Sequence, residues 1–286
     1  LDEQGEVSRP ALLFYPNKLK GNMIMNFDEL IIDRPLRAHK YNFDGKRIWT
    51  MSNLKDLKLT LGGETVYAQD ELGTNIMGFD RSKTASAEWS NALVHLGTMA
   101  DQMGTEKQIA SGTAKQKFTR VFFLTTADGK KLTLPHAPVD ITTGVPFKYI
   151  DKVDNRNVTL ETYELGAETT TNFSVTGTEV TLPTDKCKAG DKFAVKMTYE
   201  SESGMAIDNS ANKFSEEGVF VIEALCYNPC DKATKILTNI IFPSAKEDAA
   251  VEIDFNNETT HPVTINATQE YCSEDKKLVR IEVVKE

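Results

Sequence analysis

Residues 71–105, ELGTNIMGFDRSKTASAEWSNALVHLGTMADQMGT, constrain the fold of this chain more than any other stretch. From Thr74 onward the even positions are Thr74, Ile76, Gly78, Asp80, Ser82, Thr84, Ser86, Glu88 and Ser90, nearly all polar. The odd positions include Met77, Phe79, Ala85, Ala87 and Trp89. Period-two alternation marks a strand with one buried and one wet face. At Ser90 and Asn91 the period changes. Leu93, Leu96, Ala100 and Met103 recur at helical spacing, so a short helix packed on the core beside Trp89 is predicted, capped by Ser90 or Asn91 and stopped by Gly104. A strand of about 15 residues is long where five or six is usual. Strands of that length belong to large sheets or barrels, often ones completed by other subunits.

The rest of the chain is read in the same terms. Leu57, Leu59 and Leu61 alternate over residues 54–61, Gly62 and Gly63 follow, and residues 64–69 return, which predicts a tight hairpin. Residues 118–125 form a strand, with Ala127, Asp128 and Gly129 as its turn and 130–134 as its partner. Phe193, Val195, Met197 and Tyr199 share one face of a later strand. Residues 219–226 are apolar on both faces and read as a central strand. Further strands are expected over 237–242, 251–255, 263–267 and 279–284. About a dozen strands against one helix make a mainly β fold. Residues 1–286 are read as one β domain, with 135–190 as a small β extension within it.

Charge and motifs narrow the function. With 33 basic and 42 acidic residues the net charge is −9, which disfavours gripping nucleic acid through its phosphates but not passing it as cargo. The chain begins at Leu1 without a signal-like amino terminus, and no apolar run approaches the ~18 residues of a membrane span, so none is expected. Nucleophile-elbow, Walker, dinucleotide-binding and zinc-protease motifs are missing, so no catalytic residue and no cofactor are assigned. His39, His95, His136 and His261 lie far apart, and His95 reads as structural. Cys226, Cys230 and Cys272, with Cys187 or His261, would make a loose zinc set. Free thiols or a disulfide are preferred to it. Asn157, Asn172, Asn257 and Asn266 fit the glycosylation pattern, which matters only in a eukaryotic secretory protein. Asp80, Ser82, Thr84, Ser86 and Glu88 form a polar row that is either an ordinary solvated face or the lining of an aqueous channel built from several copies.

Three stretches carry a resemblance: residues 70–105; GDKFAVKMTYESESGMAIDNSANKFSEEGVFVIEALCYNPC; and IFPSAKEDAAVEIDFNNETTHPVTINATQEYCSEDKKLVRIEV. Together they cover about half the chain, and the chain resembles the tail tube (major tail) proteins of long-tailed bacteriophages. The resemblance implies a β-sandwich or half-barrel with one packed helix, completed by neighbouring subunits. It implies hexameric rings stacked into a tube in the virion tail, made in the bacterial cytoplasm. Partners would then be other copies, other tail proteins and double-stranded DNA as passing cargo. A long hairpin typically reaches the next ring in that family. Residues 54–69 or 73–89 are the candidates, with Leu57, Leu59, Arg81 and Lys83 at subunit contacts. Other virion parts, such as a capsid decoration or baseplate protein, and a bacterial surface adhesin or carbohydrate-binding module are the rival readings.

Overall fold

The computed structural model describes residues 29–139, 147–167, 169–229, 231–253, 260–269 and 274–285. The chain opens with β1 (Ile31–Tyr41), β2 (Arg47–Ser52), β3 (Leu54–Gln69) and β4 (Asn75–Asn91). Helix α1 (Leu96–Gln102) and the short β5 (Gln108–Ile109) follow. Next come β6 (Gln116–Thr125), β7 (Lys131–Thr133), β8 (Tyr149–Val153) and β9 (Thr159–Leu165). After them lie β10 (Asn172–Thr176), β11 (Glu179–Thr181) and β12 (Lys192–Ser201). The chain then returns through β13 (Met205–Ala206) to β14 (Gly218–Asn228), β15 (Asp231–Glu247), β16 (His261–Ala267) and β17 (Arg280–Lys285). The fold is mainly β, with one helix among the described residues and a sheet curled into a half-barrel.

Two sheets carry two separate apolar cores. The larger sheet runs β2-β1-β14-β15-β16-β4-β3, with β17 also paired to β15. Its core joins Trp49, Met51, Trp89, Phe220, Ile222 and Phe242, all buried. The second sheet runs β6-β12-β8-β9-β10-β11-β7 and closes over Phe147, Ile150, Tyr163, Phe173, Phe193 and Met197. Residues 135–190, read from sequence as a small extension, supply four strands of this second sheet, whose partners reach Gln116 at one end and Ser201 at the other. The alternating strand at 192–200 places Phe193, Val195 and Met197 in that core. β14 is central, between β1 and β15, because its alternate residues Phe220, Ile222, Ala224 and Cys226 are all core residues.

Several expectations need correction. Gly62 and Gly63 are not a hairpin turn. β3 runs straight through them, and the turn lies at residues 70–74. There Asp70 Oδ1 accepts from the Leu72 and Thr74 amides at 2.9 and 2.7 Å, and Gly73 takes the positive φ of 80° that favours glycine. The glycines serve close approach instead: a Cβ at Gly62 would sit 2.5 Å from Thr84 Oγ1. Strand β6 does not pair with residues 130–134. It takes β12 over ten residues, while β7 pairs with β11 at the far end of the sheet. Residues 251–253 are not strand, and Phe255 lies outside the described residues.

The helix is also displaced. Strand β4 continues to Asn91, whose Oδ1 accepts from the Leu93 amide, and the helix begins only at Leu96. Its cap is His95, whose ring Nδ1 accepts from the Thr98 amide at 3.1 Å. Leu93 and Leu96 are exposed rather than core, whereas Trp89 and Ala100 are buried and Met103 is half-buried. With only seven residues the helix buries Thr98, Ala100 and Gln102, two of them polar. Gly104, at φ 66°, closes it where a Cβ would strike the backbone of Phe214 at 2.4 Å.

Candidate assembly surfaces

Strands β3 and β4 pair over almost their whole length, but β16 covers β4 only from Ser86 to Asn91. Beyond Ala85 the pair leaves the sheet as a two-stranded arm, residues 62–84, about 30 Å long at the usual rise per residue. Every side chain on β4 from Asn75 to Thr84 is exposed. Val66 faces Phe79 and Ala68 faces Met77 on one side of the arm, while Leu61 and Tyr67 lie on the other. Leu72 at the tip is 91% exposed. An isolated ribbon with apolar residues on both faces has no core of its own, so its stability comes from what it touches.

The register of the arm redistributes the polar row. Glu64 pairs with Ser82 and Thr65 pairs with Asp80, so Arg81 is a one-residue bulge. Residues opposite one another share a face, and successive residues do not. Ser82, Thr84, Ser86 and Glu88 therefore share a face with Glu64, and Asp80 is turned to the opposite side. Two hydrogen bonds fix this: Ser82 donates to Glu64 at 3.4 Å, and Thr65 donates to Asp80 at 2.7 Å. Lys83 lies on the Asp80 side, in line with the buried Ala85, Ala87 and Trp89. Glu88 is held by Lys58 at 2.7 Å on the exposed surface. Leu57 and Leu59 pack half-buried against the chain's own core. Strict alternation from Thr74 to Ser90 could not reveal the bulge, because Arg81 carries no residue-type signal for it.

Beyond the body end of β4, α1 is docked by charge. Lys40, wholly buried on β1, places its Nζ 2.7 Å from Asp101 Oδ2 and 2.9 Å from the Glu216 carbonyl. The same carboxylate oxygen accepts from the Trp49 indole at 2.9 Å, and the ammonium stands 5.3 Å from the Phe220 ring centre. Glu247 lies beside this cluster with both oxygens shut off from water. Burial, the dominant cause, pushes its carboxyl up to about 8, against the opposing pull of Lys40. At the other end of α1 the His95 amide donates to His261 Nδ1 at 3.1 Å. The remaining proton of His261 is thus on Nε2, which donates to Gln102 Oε1 at 2.9 Å. Burial, helped by His95, lowers His261 to about 4 and keeps it neutral. Sequence reading missed this network, because its members are far apart in the chain and a lysine on a strand gives no hint of burial.

The zinc set does not assemble among the described residues. Both ring nitrogens of His261 are engaged, Cys226 accepts from the Thr238 hydroxyl inside the first sheet, and Cys187 belongs to the second core. Cys230 and Cys272 lie outside the described residues. Those described hold no group of three metal-ligating side chains, and no helix is long and apolar enough to cross a membrane.

Comparison with known families decides the class. Residues 38–279 match the YomU/Tube protein family. The chain belongs to that family. Membership makes it a phage tube-type structural protein, a component of the virion tail that assembles with itself and with other tail proteins. The match spans both sheets, so the second sheet lies within the family region rather than appended to it. No curated protein matches the chain.

Proposed function

We propose that this YomU/Tube protein is the repeating subunit of a long-tailed phage tail tube, forming stacked rings, six-fold in symmetry, around a channel for DNA. The observation that carries the reading is the arm. It leaves the body with apolar side chains on both faces and with strand edges that no described residue pairs. Such a ribbon is an aggregation hazard in a lone molecule and a binding element in an assembly. Pairing β2 or β3, the end strands of the larger sheet, with a neighbour's sheet would close a ring and remove lateral edges. Ring-on-ring contact does not close on itself and grows a filament.

The channel face in this reading is the body-side part of the face bearing Ser82, Thr84, Ser86 and Glu88 with Glu64; toward the tip of the arm the same face turns apolar at Phe79 and Met77, which in this reading meet a neighbouring subunit. Hydroxyls and carboxylates repel or ignore phosphates, whereas a lysine row would hold DNA through counterion release. The reading assigns no catalytic step and no cofactor. Negative-stain microscopy of the purified full chain tests it: rings or tubes of uniform bore are expected. Monodisperse monomers under all salt and concentration conditions overturn it.

A further inference from the structure

Three reactive side chains meet at the edge of the larger core, each carried by a different element. Lys40 comes from β1, Asp101 from α1, and Glu247 is the last residue of β15. Lys40 and Glu247 are buried, and the Asp101 side chain is only 12% exposed. Lys40 Nζ stands 2.7 Å from Asp101 Oδ2, which sets the nitrogen beside the carboxyl carbon. The Trp49 indole holds that same oxygen, and the Phe220 ring walls the ammonium. Such a pair has given up the hydration of both charges, and burial favours a neutral amine and a neutral acid over the ions. Glu247 is the odd member. Neither of its oxygens makes a hydrogen bond, although both are shut off from water. The groups that act on it are Lys40, Asp101 and Trp49. An orphaned buried carboxyl is costly and calls for a reason. Desolvation keeps it protonated up to about 8, so near neutral pH it has a proton to give.

We propose that Lys40 and Asp101 condense to an intramolecular isopeptide bond, Nζ to Cγ, with Glu247 as the proton relay. The ion pair is the state before the reaction. Lys40 first passes one proton, by way of Glu247, to the Asp101 carboxylate, which leaves an amine and a carboxylic acid. The Nζ lone pair then attacks Cγ, a C–N bond forms, and the carbonyl electron pair moves onto its oxygen. Glu247 accepts a second proton from Nζ on one oxygen and gives its own, from the other, to the hydroxyl oxygen of Asp101. That C–O bond breaks, the oxygen leaves as water with the bonding pair, and the carbonyl re-forms. One water is lost, no oxidant or reductant is needed, and Glu247 ends as it began. Holding the two groups in contact supplies the effective concentration that free side chains lack. Asp101 also lines a pocket of about 440 Å³ beside α1, into which the water can leave. The product replaces two buried charges by a neutral amide, whose N–H can donate to the orphaned Glu247. It closes residues 40–101 into a covalent loop that contains β2, β3 and β4, and with them the whole arm.

The test is the intact mass of the full chain, refolded, incubated at neutral pH and measured under denaturing conditions. The mass should fall below that of the sequence by one water. Tryptic digestion should give a branched peptide, uncut at Lys40, and its fragmentation should place the link at Lys40 and Asp101. Lys40→Arg keeps the charge but offers no amine, and should retain its full mass. Glu247→Gln should melt cooperatively yet form the bond about a hundredfold more slowly. Wild-type protein that keeps its full mass, or that loses water at any other pair, overturns the proposal. Bond formation at the wild-type rate in folded Glu247→Gln overturns the relay. Should either variant fail to melt cooperatively, the wild-type mass and the branched peptide decide alone.

Discussion

Lys40 Nζ and Asp101 Oδ2 stand 2.7 Å apart, the lysine wholly out of water, and through them the only helix of the described chain is tied to the first strand. Removing one partner of such a pair leaves a buried charge uncompensated, at a cost of about 3–5 kcal/mol. Asp101→Asn is therefore expected to lower unfolding free energy by that amount in urea denaturation. The double change Lys40→Met with Asp101→Leu should recover most of the loss, because it removes both charges and keeps the volume. If the single and double variants are equally destabilised, the ion pair is not what holds α1 in place.

Glu247 gives the fold a pH dependence of defined sign. Its carboxyl binds a proton more tightly folded, at about 8, than unfolded, near 4.5. Between those values the folded state holds more protons, so stability from this group is complete below the unfolded value and falls as pH rises through the folded one. Glu247→Gln should flatten that decline, a difference on the order of 2–4 kcal/mol between pH 5 and pH 9. Parallel denaturation curves of the two proteins at both pH values measure it. Identical slopes would place the titration elsewhere.

Trp89 is buried at the foot of the arm, its indole donating to Met51 Sδ at 3.4 Å. Trp89→Ala should cost about 3–5 kcal/mol, and Trp89→Asp should yield no folded protein. A soluble, cooperatively melting Trp89→Asp chain would contradict the face assignment of β4.

The arm separates stability from assembly. Phe79 and Met77 are exposed and touch no core. Phe79→Lys with Met77→Lys should leave the melting transition of the isolated subunit unchanged within about 0.5 kcal/mol. The same protein should form no rings or tubes. Normal tubes from this variant would show that the arm's apolar face is not an assembly contact.

The bulge at Arg81 gives the channel face a built-in control. Glu64→Lys with Glu88→Lys adds positive charge to the face shared by Ser82 and Thr84, and should slow DNA ejection from assembled tails, more so at low salt. Asp80→Lys, on the opposite face, should leave ejection kinetics unaltered. Equal slowing by both would remove the assignment of that face.

Period-two patterns made much of the fold legible. Residues 192–200 and 263–267 carry their alternation into β12 and β16, because each has one face in a core. The patterns failed where geometry is set at a distance. Gly62 and Gly63 read as a turn, but a glycine pair equally admits Thr84 from the next strand, and only pairing tells the two apart. The spacing of Leu93, Leu96 and Ala100 suggested a helix anchored by apolar contact. The structure anchors it by Asp101 and Gln102, whose partners lie in other strands. The polar row was legible from Ser82 to Glu88, where β4 is regular, and broke at a bulge that the sequence does not mark.

β5 and β13 pair only through Ile109 with Met205 and Gln108 with Ala206, and the described strands between them build the second sheet over its own core. The chain leaves and re-enters the main body side by side, through a neck two strands wide. A passenger spliced at that neck would hang from the body without cutting through the first core. The same neck would let related proteins enlarge, shrink or exchange what they carry there while the part that builds the larger sheet stays as it is.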